Sequence, residues 1–290
     1  MPVIDINNVT KIYKNGVVGL EDVTFSIGPG VFGLLGHNGA GKTTLMRMIA
    51  TILRPTSGTI TVMGHDTVKE GEAVRRNIGY LPQELSMYAN LTALEFVSYM
   101  ARLKGVTNAE EALNKLDEVG MAEYRNRKIG QLSGGMKRRV GIAQALVGNP
   151  RIVIVDEPTA GLDPEERVRF RGILSRFAGN DRTVILSTHI IEDVHQICSH
   201  LAVLRKGRLF FQGPSDSLLD RVRGKVKVVE LSSDRDLADL RKRAVVISTT
   251  YGSKSLTVRI MDENGRFPQA PVHETLEDAY VYCMGGNEHA

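Results

Sequence analysis

Apolar and polar residues alternate through Val3-Ile4-Asp5-Ile6 and again through Val23-Thr24-Phe25-Ser26-Ile27, the period of two expected of half-buried strands. Asn15-Gly16 between them is a hairpin-type turn, so the chain is expected to open as an antiparallel sheet. The pattern then changes. Val31-Phe32-Gly33-Leu34-Leu35, Ile152-Val153-Ile154-Val155 and Thr183-Val184-Ile185-Leu186 are continuous apolar runs, which suit strands of a parallel sheet covered on both faces. Shorter strands are expected over 59–63 and 78–81, and a hairpin over 201–211 turns at Lys206-Gly207.

From about residue 84 to 149 the periodicity is helical. Thr92 precedes Glu95 by three positions as a capping box, with Leu91 and Phe96 placed as a hydrophobic staple. Asn108 and Glu111 repeat that spacing, Leu113, Leu116 and Val119 give an apolar face, and Gly120 marks a stop. This segment reads as a helical insertion between two strand-rich blocks. Asp163-Pro164-Glu165-Glu166 opens a later helix with an N-cap, a proline at the first position and an acidic first turn. After Arg221 a strand over 226–231, a charged helix over 236–243 and strands over 245–248 and 256–260 suggest a small α+β unit. The expected boundary lies near Asp220 to Arg223, giving a main domain of residues 1–220 and an accessory domain of 221–290.

Composition narrows the class without naming a function. A chain of 290 residues, 42% hydrophobic and 24% charged, is of ordinary globular make-up and long enough for a large domain plus a smaller one. No apolar run approaches the ~18 residues that span a bilayer, and no basic-then-apolar leader is read at the N-terminus, so a cytoplasmic location is expected. Cys198 and Cys283 lie far apart, outside any metal-ligand spacing, and are expected as free buried thiols. The formal charge of +4 is a mild basic bias. Lys137-Arg138-Arg139, Arg221 to Lys227 and Arg241-Lys242-Arg243 lack interleaved aromatics, so each is expected as a solvated face and not a nucleic-acid surface.

Candidate chemistry concentrates at Gly36-His37-Asn38-Gly39-Ala40-Gly41-Lys42-Thr43-Thr44, which sits between a predicted strand and a predicted helix in the order of a P-loop. Glycines at 36, 39 and 41 let backbone N–H groups approach an anion, and the helix that follows points its positive end at the same place. Lys42 adds a charge for the β- and γ-phosphates, and Thr43 offers a hydroxyl to Mg²⁺. The side chain of His37 has no part in this scheme, although its backbone belongs to the loop. Asp156, at the end of a buried strand, is the acidic partner that would complete the Mg²⁺ site. Glu157 beside it is a candidate to orient or deprotonate an attacking water. Tyr13, between Lys11 and Lys14, could stack on a base or pack as an ordinary strand aromatic.

Taken in order, these residues resemble the nucleotide-binding subunit of ATP-binding cassette (ABC) transporters from Tyr13 to His189. Leu132-Ser133-Gly134-Gly135-Met136 resembles the family's signature motif, Gly161-Leu162-Asp163 its D-loop, Gln83 its Q-loop glutamine and His189 its switch histidine. The resemblance implies an α/β P-loop ATPase with an N-terminal antiparallel β subdomain, a helical subdomain over about 84–149 and a small C-terminal α+β unit. It implies ATP and Mg²⁺ as cofactors, Tyr13 as the adenine-stacking aromatic, Gln83 as a contact to metal and γ-phosphate, and His189 as a γ-phosphate contact. It also implies a head-to-tail dimer with a second ABC ATPase, an identical copy or a different cassette, in which Ser133, Gly134 and Gly135 at a helix start cap a phosphate held by the partner's P-loop. Integral membrane permease subunits would recognise the cargo, leaving this chain peripheral on the inner face of the membrane. The fifth signature residue departs from the family's usual glutamine. Met136 followed by a basic run is similar to the ATPases of drug and polysaccharide exporters, as is the segment Thr275 to Tyr280. The alternatives are a soluble ABC ATPase acting on nucleic acid or ribosomes, and a small-molecule kinase, in which Gln83 and the signature would have no purpose.

Overall fold

The computed structural model describes residues 2–159, 161–179, 181–252, 255–269 and 272–284. The chain divides into two compact units, Met1–Gln212 and Gly213–Ala290, a division that falls earlier than the 220/221 position expected above.

The alternating segments form the antiparallel sheet. Strand β1 (Ile4–Ile12) pairs with β2 (Val18–Ile27), with Ile4 opposite Ile27 and Ile6 opposite Phe25. The turn at 13–17 closes between Tyr13 and Val17, whose backbones hydrogen-bond at 2.8 Å. Strand β3 (Gly30–Leu35) and helix α1 (Lys42–Ile49) follow, then β4 (Ser57–Val62) and the short β5 (His65–Asp66). Sheet order here is β2-β1-β4-β5.

Beyond helix α2 (Gly71–Asn77) and strand β6 (Ile78–Leu81) lies the helical insertion, α3 (Ala93–Leu103), α4 (Glu111–Glu118) and α5 (Gly134–Leu146). Thr92 and Glu95 form the expected reciprocal capping box. The second box does not form. Helix α4 starts at Glu111, so Asn108 accepts instead from the N–H of Glu110, while Glu111 turns away to accept from Gly148 N–H at 3.1 Å. Loop chemistry at Asn108 outcompetes the cap.

The chain then returns to the larger sheet through β7 (Ile152–Asp156), α6 (Pro164–Ala178), β8 (Thr183–Thr188), α7 (Ile191–Ile197), β9 (His200–Arg205) and β10 (Arg208–Pro214). Its order is β10-β9-β3-β8-β7-β6, and the pairs β9-β3, β3-β8, β8-β7 and β7-β6 are parallel. All residues of β7 and β8 are buried, which is why their sequences run apolar without alternation. Helix α1 contributes Leu45, Met46, Met48 and Ile49 at 0% exposure to the core that also takes Ile4, Ile6 and Phe25 from the antiparallel sheet and Phe32 and Ile154 from the parallel one. Each such side chain contributes about 1.5–3 kcal/mol by burial. The helix carrying the glycine loop is thus held from both sheets, and the loop is fixed at the carboxyl end of β3.

In the second unit, α8 (Ser215–Leu219) precedes a three-stranded antiparallel sheet of order β11-β13-β12, formed by β11 (Val226–Leu231), β12 (Val245–Tyr251) and β13 (Leu256–Met261). Helix α9 (Asp234–Arg241) supplies Leu237 and Leu240 to its core. Helix α10 (Leu276–Cys283) starts with a Thr275/Asp278 capping box and is fixed by Arg259, which donates twice to Asp278 at 3.0 and 2.6 Å. Cys198 and Cys283 are both free and buried.

Candidate active site

Backbone geometry builds the loop between β3 and α1. Gly39 and Gly41 sit at φ +82° and +105°, the left-handed region where a side chain is strained. A Cβ on Gly41 would also stand 2.6 Å from both the Gly19 carbonyl oxygen and Leu20 Cδ2. Glycine at 41 therefore lets the first turn of α1 turn its N–H groups toward the loop, where an anion is favoured. Lys42, the first residue of that turn, is 5% exposed. Its Nζ donates to the carbonyls of Gly36 at 2.6 Å and His37 at 3.3 Å, and lies 3.1 Å from Glu157 Oε1. A buried ammonium needs such partners to remain charged.

Two neighbouring strand ends supply the carboxylates. Asp156 closes β7 in register with Ser187 of β8. The Ser187 hydroxyl donates to Asp156 Oδ1 at 2.5 Å and accepts from the Glu157 N–H at 3.0 Å, which also reaches the Ser187 carbonyl at 3.2 Å. These bonds hold Glu157 at φ +48°, a conformation that costs a non-glycine residue energy and clusters at functional sites. Glu157 Oε2 faces His189 Nδ1 at 2.6 Å. The carboxylate is 4% exposed and bracketed by a lysine and a histidine, while the imidazole stands 46% exposed.

Asp156 Oδ2 is buried with no hydrogen-bond partner among the described residues. Burial raises the pKa of the nearby Tyr80 phenol, the Asp156 charge adds to that, and a hydrogen bond with Arg47 opposes it.

A cavity of about 340 Å³ opens over the loop, lined by Tyr13, Val17, Val18, Gly19, His37, Asn38, Gly39, Gly41, Lys42, Thr43, Thr44, Gln83 and Glu157. One end is apolar and aromatic, the other carries the ammonium and the carboxylate. The Tyr13 hydroxyl hydrogen-bonds with Thr44 Oγ1 at 2.9 Å, Lys11 Nζ lies 5.7 Å from the ring centroid, and Gly19 leaves room for the ring, since a Cβ there would meet Tyr13 Cε2 at 2.7 Å. Gly36, Ala40, Asp156 and His189 support this cavity without lining it. Magnesium takes oxygen ligands. The unpartnered Asp156 Oδ2, beside the cavity-lining Glu157, fits that demand together with the Thr43 hydroxyl and the Gln83 amide oxygen. Among the described residues no cluster of three or more His, Cys, Asp or Glu could hold a metal by itself.

Ser133, Gly134, Gly135 and Asp163 do not line the cavity. Ser133 caps α5 by accepting from Met136 N–H at 3.2 Å, and both Ser133 and Gly134 are exposed. Asp163 caps α6 by accepting from Glu166 N–H at 2.8 Å. The two helix starts meet, because Glu166 packs 3.0 Å from where a Cβ on Gly135 would stand and lies 3.3 Å from Arg139 Nε.

The basic run after the signature differs from expectation. Lys137, Arg138 and Arg139 are half-buried and do not form a solvated face. Arg139 pairs with Glu166 and donates to the Gly120 carbonyl at 3.0 Å. Burial lowers the pKa of Arg138 against the opposing attraction of Glu157, and its Nη1 has no partner among the described residues. Sequence reasoning read a charge run as solvent-facing. The cue it lacked is that residues at the start of α5 share their helix turns with the wholly buried 140–146. It also missed Ser187, whose role exists only because β7 and β8 are neighbours.

Residues 20–160 match the family described as ABC transporter. The daunorubicin/doxorubicin resistance ATP-binding protein DrrA of Streptomyces peucetius is 35% identical over 97% of this chain and 88% of its own length. The chain belongs to the ATP-binding cassette family. A second relative, the Nod factor export ATP-binding protein I of Rhizobium etli, is 36% identical over 80% of this chain and 74% of its own length. Among solved structures, a dimeric bacterial ABC transporter cassette superposes with a TM-score of 0.67 at 29% identity, covering 73% of this chain and 98% of that one. The protein is accordingly an ATP-binding, ATP-hydrolysing P-loop cassette of the α/β class.

Proposed function

We propose that this ABC ATPase is the energy-coupling subunit of an exporter, that two copies bind two Mg-ATP head to tail, and that separate membrane subunits carry the cargo. The observation that carries the dimer reading is the position of the signature. Ser133 and Gly134 present a hydroxyl and bare N–H groups at the exposed start of α5, yet neither they nor Gly135 reaches the cavity of their own chain. Such a helix start attracts an anion. On this reading Ser133 and Gly135 meet the γ-phosphate seated on the partner's Lys42, with Asp163 of the D-loop at the same junction. On this reading, too, residues 1–220 are the ATPase domain and 221–290 an accessory domain.

In the proposed reaction Tyr13 stacks on the adenine, and the loop N–H groups with Lys42 hold the β- and γ-phosphates. Thr43, Gln83 and Asp156 hold Mg²⁺, which supplies charge neutralisation to the phosphate oxygens when bound. Once phosphate engages Lys42, Glu157 is released from that ion pair and its Oε1 is free to accept a proton from a water aligned with the γ-phosphate. His189 keeps Glu157 oriented through Nδ1 and leaves Nε2 for the γ-phosphate.

Export is supported by Met136 with its basic run and by the relative whose name specifies Nod factor export. Membrane partners are supported by an apolar recess at Tyr88, Ala89, Asn90, Leu91 and Tyr99, continuous in sequence with Gln83. Tyr88 is 62% exposed there and packs edge-on against Tyr99 at 6.3 Å. On this reading, and as the transporter family implies, the membrane-spanning path belongs to the partners and this chain lies at the inner face; among the described residues no helix is long and apolar enough to cross a membrane. Sequestration of Arg138 and Arg139 by burial and by Glu166 speaks against a nucleic-acid surface there.

Glu157→Gln is expected to bind ATP, lose turnover and sediment as an ATP-dependent dimer. Unchanged steady-state hydrolysis would sink the assignment of Glu157.

A further inference from the structure

At and beyond the ends of β7 and β8 the two segments remain linked by side chains. Asp156 pairs with Ser187 at 2.5 Å, Glu157 with His189 at 2.6 Å, and Thr159 Oγ1 donates to Asp193 Oδ2 at 2.6 Å. The other Asp193 oxygen, Oδ1, accepts from Arg171 Nη1 of α6 at 2.7 Å. Asp193 and Thr159 are each 1% exposed. None of these last three residues enters the ATPase scheme above.

We infer that Thr159 and Asp193, with Arg171 behind them, are positioning residues that hold Glu157 opposite His189. The inference rests on the proposed roles of that pair. Two short segments form the sides of a closed frame, Glu157-Pro158-Thr159 and His189 to Asp193. The Glu157–His189 contact closes one end and the Thr159–Asp193 bond closes the other. Proline stiffens the first side by fixing its own φ. The second side runs into α7, whose first turn carries Asp193. Opening the far end leaves Asp193 held by Arg171 alone and free to shift by a fraction of a bond length, and the Glu157–His189 separation is then set from the near end only, by the Ser187 and Lys42 contacts of Glu157. Arg171 ties the frame to α6, the helix whose N-cap is Asp163, so the D-loop end and the switch histidine are referred to one carboxylate. Burial sharpens the effect, since a wholly buried carboxylate oxygen that loses its donor must move to find another.

Thr159→Val in the full chain tests this, because it keeps the shape of the side chain and removes one hydroxyl. A misplacement of this kind is expected to lower kcat roughly tenfold. The ATP KM is expected to stay within about twofold, because no cavity-lining residue is touched. The imidazole ¹⁵N resonances of His189, assigned by their loss in His189→Ala, are expected to move in Thr159→Val. Thr159→Ser should restore both the rate and the resonances, and Asp193→Asn should reproduce both defects. Unchanged kcat in Thr159→Val overturns the inference. So does a loss of kcat that comes with a matching fall in melting temperature and an unmoved His189 resonance. Failure of the underlying reading has a different mark: Glu157→Gln would then turn over ATP normally, whatever Thr159→Val does.

Discussion

Lys42 Nζ lies 3.1 Å from Glu157 Oε1, with both side chains at 5% exposure or less. The cation of the phosphate loop and the carboxylate proposed as the base thus neutralise one another across the cavity. On the proposed reading, a phosphate arriving at the loop competes for Lys42, and the carboxylate gains its freedom in the same event. On that reading, readiness for hydrolysis is coupled to occupancy through one ion pair.

This pair makes a stability prediction. Lys42→Met leaves the Glu157 carboxylate buried against His189 alone, and breaking one partner of a buried pair costs about 3–5 kcal/mol. Adding Glu157→Gln removes the orphaned charge, so the double variant is expected to regain most of that loss. Urea unfolding without nucleotide measures it; additive losses in the double variant would show that the two groups do not interact.

Ser187→Ala removes the hydroxyl that serves Asp156 and the Glu157 N–H together. Asp156 Oδ1 is left short of a partner at about 1–3 kcal/mol, while the Glu157 N–H keeps only the Ser187 carbonyl at 3.2 Å. Expected outcomes are a lower unfolding midpoint and a kcat reduced at least tenfold, read by steady-state phosphate release. A rate within twofold of the parent would separate the β8 end from the chemistry.

Tyr13→Ala is expected to weaken ATP binding by about 1–3 kcal/mol, the usual range for stacking a base on an aromatic ring. Tyr13→Phe keeps the ring and loses only the bond to Thr44, so its affinity should stay near the parent value. Fluorescence titration with a labelled nucleotide distinguishes the two, and equal losses would assign the effect to the hydroxyl.

Burial pushes the Lys104 ammonium down to about 8. Its Nζ donates to the Val147 carbonyl at 3.1 Å and reaches those of Ile78 and Ala145 at 3.5 Å, clasping the end of α5 to β6. A lysine whose folded pKa is depressed below its unfolded value binds fewer protons when folded, so the cost of burying its charge is fully present below pH 8. That cost is relieved as pH rises from about 8 toward the unfolded value near 10.5, and because the residue as a whole is exposed, solvent screening keeps the gain small. Stability is therefore expected to gain a rising component over that window, and Lys104→Met should lack it. Denaturation curves at pH 7.5 and 9.5 for the two proteins check this; identical pH dependence would contradict it.

What was legible in the sequence is what local chemistry dictates. The glycine loop, the acidic end of β7, the Thr92/Glu95 box and the Asp163 cap each follow from residues a few positions apart. Ser187, Thr159 and Asp193 were not legible, because their partners stand about 30 residues away and meet only once β7 and β8 lie side by side. Asn108 shows the opposite failure: the capping spacing was present, but the loop offered its side chain a nearer N–H, in Glu110. The basic run at 137–139 misled for a third reason, since charge content does not reveal which turn of a helix faces the core.

The head-to-tail site is tested most directly by mixing two inactive variants, Lys42→Ala with a disabled loop and Ser133→Arg with a disabled signature. In the mixed dimer the intact loop of one chain meets the intact signature of the other. ATP hydrolysis is expected to appear in an equal mixture at roughly a quarter of the parent rate, because random pairing makes half of the dimers mixed and each mixed dimer keeps one of its two sites. A mixture no more active than its components would contradict the shared site.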